Sequence, residues 1–221
     1  MASCKPVTLA FKVFEASQDV ERKNPIILLH GLGGCKEHWD DIPQKVAEAT
    51  HRRVYAVDAR NHGDSEMSDE FNFDLNAVDL IHFIEQIAAE KVTIVGHSMG
   101  GITSMKTALK IKSLVKNSED KNSKYLKQNS DGSFSYSSNL KVLRKALENV
   151  DTLVSKYEGV FDGPSYFIYG KKSMFNLNRE AKLIKKHFPK AQLVGIDGAT
   201  HDVHSDAPHP FVDALLKFLK E

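Results

Sequence analysis

Two rhythms of apolar and polar residues alternate through the first hundred positions of this chain. "TLAFKVFEA" (Thr8 to Ala16) alternates with period two, the pattern of a half-buried edge strand. "PIILLH" (Pro25 to His30) is a compact apolar run that ends at a Gly-rich turn, and "RVYAVDA" (Arg53 to Ala59) is a β-branched and aromatic run that ends in a polar loop. Between them "HWDDIPQKVAEA" (His38 to Ala49) has a helical period. "FDLNAVDLIHFIEQIAAE" predicts a helix with Leu75, Val78, Ile81, Ile84, Ile87 and Ala88 on one face, and "VTIVGH" is again a strand. Apolar strands that alternate with amphipathic helices predict an α/β fold, with a mostly parallel central sheet and helices on both faces.

The rhythm breaks after residue 110. Ser, Asn, Lys and Asp crowd residues 112–138 without a β-branched run, so this stretch predicts an irregular insertion. Beyond it "NLKVLRKALENVDTLVSKY" is helical, "GPSYFIYG" and "AQLVGIDG" predict strands around a helix at "REAKLIKKHF", and "HPFVDALLKFLKE" predicts a terminal amphipathic helix. No internal repeat is visible, and the 221 residues form one expected domain, 1–221.

Composition narrows the partners. Hydrophobic residues make up 41% and charged residues 27%, as in an ordinary soluble globular protein. A net charge of +1 gives no reason to expect nucleic acid as a partner. The lysines at 182, 185 and 186 fit a solvated helix face. Only Cys4 and Cys35 occur, so a disulfide framework is not expected, and free thiols suit a reducing, cytoplasmic setting. No apolar run approaches the ~18 residues of a membrane span, and the N-terminus has neither a long apolar core nor an Arg-rich helix.

The candidate chemistry lies at "GHSMG", Gly96 to Gly100, which fits G-x-S-x-G. A strand enters and a helix leaves, the setting in which this motif presents a serine as a nucleophile. The plain alternative is a Gly-rich strand end with a surface serine. Ser98 would need a base and donors for a developing oxyanion. One donor is the N–H of Met99, the residue after the nucleophile. The second is the N–H of Leu32, in the "HGLGG" loop (His30 to Gly34) after an earlier strand. The base should come late in the chain, where "GIDGATHDVHSDAPHP" offers His201, His204 and His209. His201 comes first after the strand and is the choice. His204 reads as a loop or supporting residue, and a metal pairing of His201 with His204 lacks a second ligand cluster. No metal and no cofactor are expected.

"PIILLHGLGG", "VYAVDARNHGDS", "VTIVGHSMGG" and "GATHDVHSDAP" together resemble the α/β-hydrolase superfamily, and more closely the branch of α/β-hydrolase-domain-containing protein eleven and related bacterial esterases. "DARNHGDS" (Asp58 to Ser65) is the most specific piece. Its Asp58 and Asp64 read as turn-forming hydrogen-bonding residues. The resemblance covers most of the chain and implies a hydrolase of small acyl-ester or lipid-like substrates, with Ser98 as nucleophile, His201 as base, and Leu32 and Met99 as oxyanion donors. It also leaves a mitochondrial location as an alternative to the cytoplasm.

The resemblance has a gap. After the helix from Gly100 to Lys110 the family pattern calls for a strand ending in an Asp-containing loop, then a helical lid. Here the chain passes directly into residues 112–138, a shortened lid remnant on this reading. One strand and much of the lid are expected to be missing, through a skipped exon or a real reduction. The triad acid goes with that strand. "KKSMFN" after the next strand holds no carboxylate, Asp151 and Asp162 do not fit the order, and no acid is assigned. Two functions follow: a serine carboxylic-ester hydrolase, with thioesters or amides as other acyl substrates, or an impaired relative that binds a ligand or partner.

Overall fold

The computed structural model describes residues 5–18, 20–114, 142, 148, 156–175 and 177–220. Two short apolar strands near the middle of the first half build its centre. β2 (Glu21–Leu29) and β3 (Arg52–Val57) lie parallel, with Leu28 opposite Ala56. β1 (Phe11–Phe14), within the stretch predicted as a half-buried edge strand, closes one edge against β3 in antiparallel register, but its residues are mostly exposed rather than alternately buried. β4 (Thr93–Gly96) pairs in parallel with the other side of β2, giving the order β1-β3-β2-β4.

Because successive side chains point to opposite faces, each central strand supplies two cores. Ile26, Leu28, Val54 and Ala56 face α1 (Ile42–Thr50) and the terminal helix α6 (Pro208–Lys220), which contributes Phe211 and Leu215. Ile27, Leu29, Tyr55 and Val57 face Leu80 and Phe83 of α2 (Phe73–Gln86). Ile26, Ile27 and Leu28 are fully buried, the continuous burial expected of a parallel sheet covered on both faces.

α2 starts where the Asn72 side chain accepts the Leu75 N–H at 2.9 Å. Its buried face differs from the expected one. Leu75 is buried and Ile84 and Ile87 pack on the core as expected, but Phe73, Asn76, Ala77, Leu80 and Phe83 also point inward. Ile81 is half-buried, and Ala88, at φ 51°, lies past the helix end and is exposed. Two polar residues on the inward side, Asn76 and Asp79, disguise that face in a hydropathy pattern. Asp79 is held by Arg60 in two bonds, 2.6 and 2.7 Å, and also accepts the Val7 N–H. The expected helix from His38 to Ala49 is likewise broken. A short 3-10 turn (Lys36–Trp39) ends at Asp40, φ 47°, and α1 begins two residues later with Pro43 in its first turn.

α3 (Met99–Leu114) runs from the serine turn three residues into the stretch expected to be irregular. Residues 115–138 of that stretch, and nearly all of the helix expected over 139–157, lie outside the described residues. A continuous stretch is next described from residue 156. It forms β5 (Ser165–Gly170), α4 (Ala181–His187) and β6 (Ala191–Ile196), then the four-residue helix α5 (Val203–Asp206) and α6.

β5 and β6 pair in parallel with each other, but not with β4. The single central sheet predicted from the sequence is therefore two sheets, of four and two strands. The division falls between β4 and β5, where the strand expected to be missing would lie. β4 and most of β5 are half-exposed, unlike residues 25–29 of β2, which are buried. Side chains still bridge the division, because Val95 of β4 and Ile168 of β5 pack on the same core as α1 and α6. No helix among the described residues is long and apolar enough to cross a membrane.

Candidate active site

The backbone at the end of β4 makes an abrupt turn. Ser98 has φ 51°, a left-handed conformation that costs a non-glycine residue about 1–3 kcal/mol. The turn is also crowded. A Cβ at Gly96 would collide with the Gly100 carbonyl, and one at Gly100 with the backbone of Leu29 and His30. Only glycine fits at both places, which is the physical reason for the two glycines around the serine. The turn lifts the hydroxyl off the sheet and leaves it half-buried at the start of α3.

The last strand delivers the imidazole. After β6 the chain turns through Gly198 and Ala199, and His201 Nε2 lies 2.9 Å from Ser98 Oγ across 103 positions of sequence. With the hydroxyl donating, Nε2 is the acceptor and the ring proton sits on Nδ1. The loop around His201 is pinned from below, since the Asp206 carboxylate accepts both the Thr200 N–H (2.7 Å) and its hydroxyl (2.5 Å). Phe175, in the loop after β5, sets its ring 5.0 Å from the His201 ring and stays 60% exposed. Among the described residues no carboxylate bonds His201 Nδ1. Asp202, the nearest in sequence, instead lies 3.3 Å from His97 Nε2.

The expected oxyanion donors flank the serine. Met99 is buried and opens α3, so its N–H has no carbonyl one turn back within the helix to bond. Leu32 follows Gly31, whose missing side chain leaves an ideal Cβ position 3.4 Å from the Ser98 Cβ. The loop that carries Leu32 therefore lies against the serine.

That loop is tied down by side chains whose motif, but not whose bonds, was visible in the sequence. His62 Nε2 accepts the Gly33 N–H at 3.0 Å while its Nδ1 donates to the Arg60 carbonyl at 2.8 Å. His30 does the same one step away, accepting from the Ala59 N–H and donating to the Gly31 carbonyl. Burial lowers the pKa of both rings, that of His30 to about 4, so each keeps the lone pair its bond requires. Fully buried Asp58 accepts from the Lys36 N–H (2.6 Å), the Lys36 ammonium (2.8 Å) and the Asp64 N–H (2.9 Å). Burial opposes the Lys36 charge, but its bonds to Asp58 and Asp64 outweigh that and raise its pKa.

His204, expected in a supporting role, is buried on α5 between the rings of Trp39 (5.0 Å) and His97 (4.5 Å). Burial lowers its pKa to about 4. His97 itself was not singled out in the sequence. Its signal was its place as the variable residue before the serine, and nothing in that position foretells a contact 104 residues away.

A family model described as the alpha/beta hydrolase family matches residues 26–119. The chain is 26% identical to the sn-1-specific diacylglycerol lipase ABHD11 of Danio rerio, over all of this chain and 85% of that protein. It is 27% identical to the protein of the same name from Mus musculus, over 99% of this chain and 87% of that one. The zebrafish match extends over 273 residues although the chain has 221, so the relative carries residues with no counterpart here. Among solved structures, a marine microorganism esterase superposes with a TM-score of 0.76 at 26% identity, covering 96% of this chain and 99% of its own.

Proposed function

From the premise that this chain has the α/β-hydrolase fold and resembles the ABHD11 diacylglycerol lipases and a microbial esterase, we propose that it is a serine-dependent carboxylic-ester hydrolase. Its substrates are small acyl esters or lipid-like esters. The observation that most supports this reading is the 2.9 Å separation of Ser98 Oγ and His201 Nε2 at a strained turn.

In the reaction, Ser98 Oγ attacks the acyl carbonyl as its proton passes to His201 Nε2. The carbonyl electrons move to oxygen, and the Leu32 and Met99 N–H groups receive the oxyanion. Collapse re-forms the carbonyl and expels the alkoxide, which takes the proton from His201. Water, deprotonated by the same imidazole, then hydrolyses the acyl-serine. Phe175 and Leu32, both large and exposed beside these groups, offer an apolar rim for the acyl chain.

A p-nitrophenyl ester and a fluorophosphonate probe test the reading together. Wild-type protein should turn over the ester and take up the probe at one site, and Ser98→Ala should lose both. Turnover unaffected by that change overturns the proposal. A second reading, a binding protein with little turnover, is favoured by the lack of a carboxylate on His201 Nδ1 among the described residues. Changing the orienting carboxylate of a triad costs about 10⁴ in rate. Saturable binding of an acyl ester by wild-type protein without its hydrolysis would select this second reading.

A further inference from the structure

His97 stands where three parts of the site meet. Its Nε2–H donates to the main-chain carbonyl of His201 at 3.1 Å, and the Asp202 carboxylate lies 3.3 Å from the same nitrogen. Its ring lies 5.1 Å from the His201 ring on one side and 4.5 Å from the His204 ring on the other. The loop that carries Leu32 makes room for it, because a Cβ at Gly31 would sit 2.9 Å from His97 Nδ1. The residue before the nucleophile thus touches the oxyanion loop, the backbone of the base, and the carboxylate that follows the base.

We propose that His97 is the positioning residue for the base, holding His201 through its backbone carbonyl rather than through its ring. This inference rests on the ester-hydrolase reading above. Orienting a catalytic imidazole normally takes a carboxylate on Nδ1, which fixes tautomer and angle. Here the described residues place no carboxylate there. They place a ring N–H on the carbonyl of the same residue, with the Asp202 carboxylate 3.3 Å from that nitrogen. A bond at the main chain fixes where the His201 backbone sits and leaves two side-chain torsions, χ1 and χ2, to carry Nε2 to the serine.

His97 is itself braced. Its side chain is 15% exposed, and the stack continues through His204 to Trp39. His204 Nδ1 and Trp39 Nε1 are buried without hydrogen-bond partners among the described residues, so these rings hold their place by packing alone. Burial lowers the His97 pKa and keeps the ring neutral, as a ring with a single N–H must be. The charged and titratable groups around it are His201, Asp202, His204 and His38.

Two substitutions separate positioning from packing. His97→Phe keeps a ring in the stack but removes the N–H. His97→Gln returns an N–H donor at similar reach. With p-nitrophenyl butyrate, His97→Phe should lower kcat about tenfold or more, the equivalent of roughly 1.4 kcal/mol in barrier, with KM little changed. His97→Gln should recover most of the loss. Wild-type kcat in His97→Phe, or a His97→Gln variant as slow as His97→Phe with an unchanged melting temperature, overturns the proposal.

A second readout is independent of turnover. Imidazole ¹⁵N spectra of wild-type protein at pH 7 should show His97 as the Nε2–H tautomer, and the His201 ring signals should shift in His97→Phe. A His97 ring protonated on Nδ1, or His201 signals that do not move, overturns the inference whether or not the protein is active. Loss of all Ser98-dependent turnover in wild type, by contrast, overturns the hydrolase reading and leaves these spectra to decide the role of His97.

Discussion

At the scale of single residues, neutral histidines hold the site together. His30 and His62 act as acceptors for loop N–H groups, and His204 fills the gap behind His97. Burial sets the folded pKa of His30 and His204 at about 4, against an ordinary 6.5. Between these two values the unfolded chain binds protons that the folded chain refuses. Stability is therefore complete above pH 6.5 and declines as pH falls toward 4, by up to about 1.4 kcal/mol per pH unit for each such group. Urea unfolding midpoints should be clearly lower at pH 5 than at pH 7.5, and His204→Phe should flatten that dependence. An unchanged slope in the variant would mean that His204 is charged in the folded protein.

At the scale of elements, α2 shows both how much the sequence reveals and where it misleads. Its existence follows from its apolar period, but its inward face holds Asp79 and Asn76. Arg60 and Asp79 are each only 1% exposed, so the pair joins the loop after β3 to α2 beneath the site. Asp79→Ala would strand a buried guanidinium and should destabilise the protein by about 3–5 kcal/mol in chemical denaturation. Asp79 replaced by Asn should cost less, since an amide still accepts one of the Arg60 bonds. The serine turn and the approach of His201 to Ser98 were also legible, because local chemistry marks them: glycines that only a tight turn needs, and a late histidine just past a strand. The Lys36–Asp58–Asp64 cluster and the reach of His97 were not, because those contacts exist only once distant segments meet.

At the scale of the whole molecule, the divided sheet is the main finding. The polar stretch after residue 110 led to the expectation of a missing strand, but did not say whether β5 would pair with β4. It does not. Among the described residues β4 and β5 are each paired on one side only, so they should exchange backbone hydrogens faster than β2 and β3, each paired on both sides. Hydrogen-exchange mass spectrometry of peptides covering 93–96 and 165–170 checks this. Protection there equal to that of residues 26–29 would mean that the two sheets are joined in solution.

The same seam runs between the two groups proposed to react. Ser98 ends the four-stranded part, and His201 follows the last strand of the two-stranded part. Their separation is therefore a gauge of how the halves sit together, much as the gap of a caliper reports the position of its jaws. Anything that loosens the joint, whether mild denaturant, pressure or a bulky ligand, opens that gap while each half keeps its own shape. Chemistry should falter first in this molecule, and the fold only afterwards.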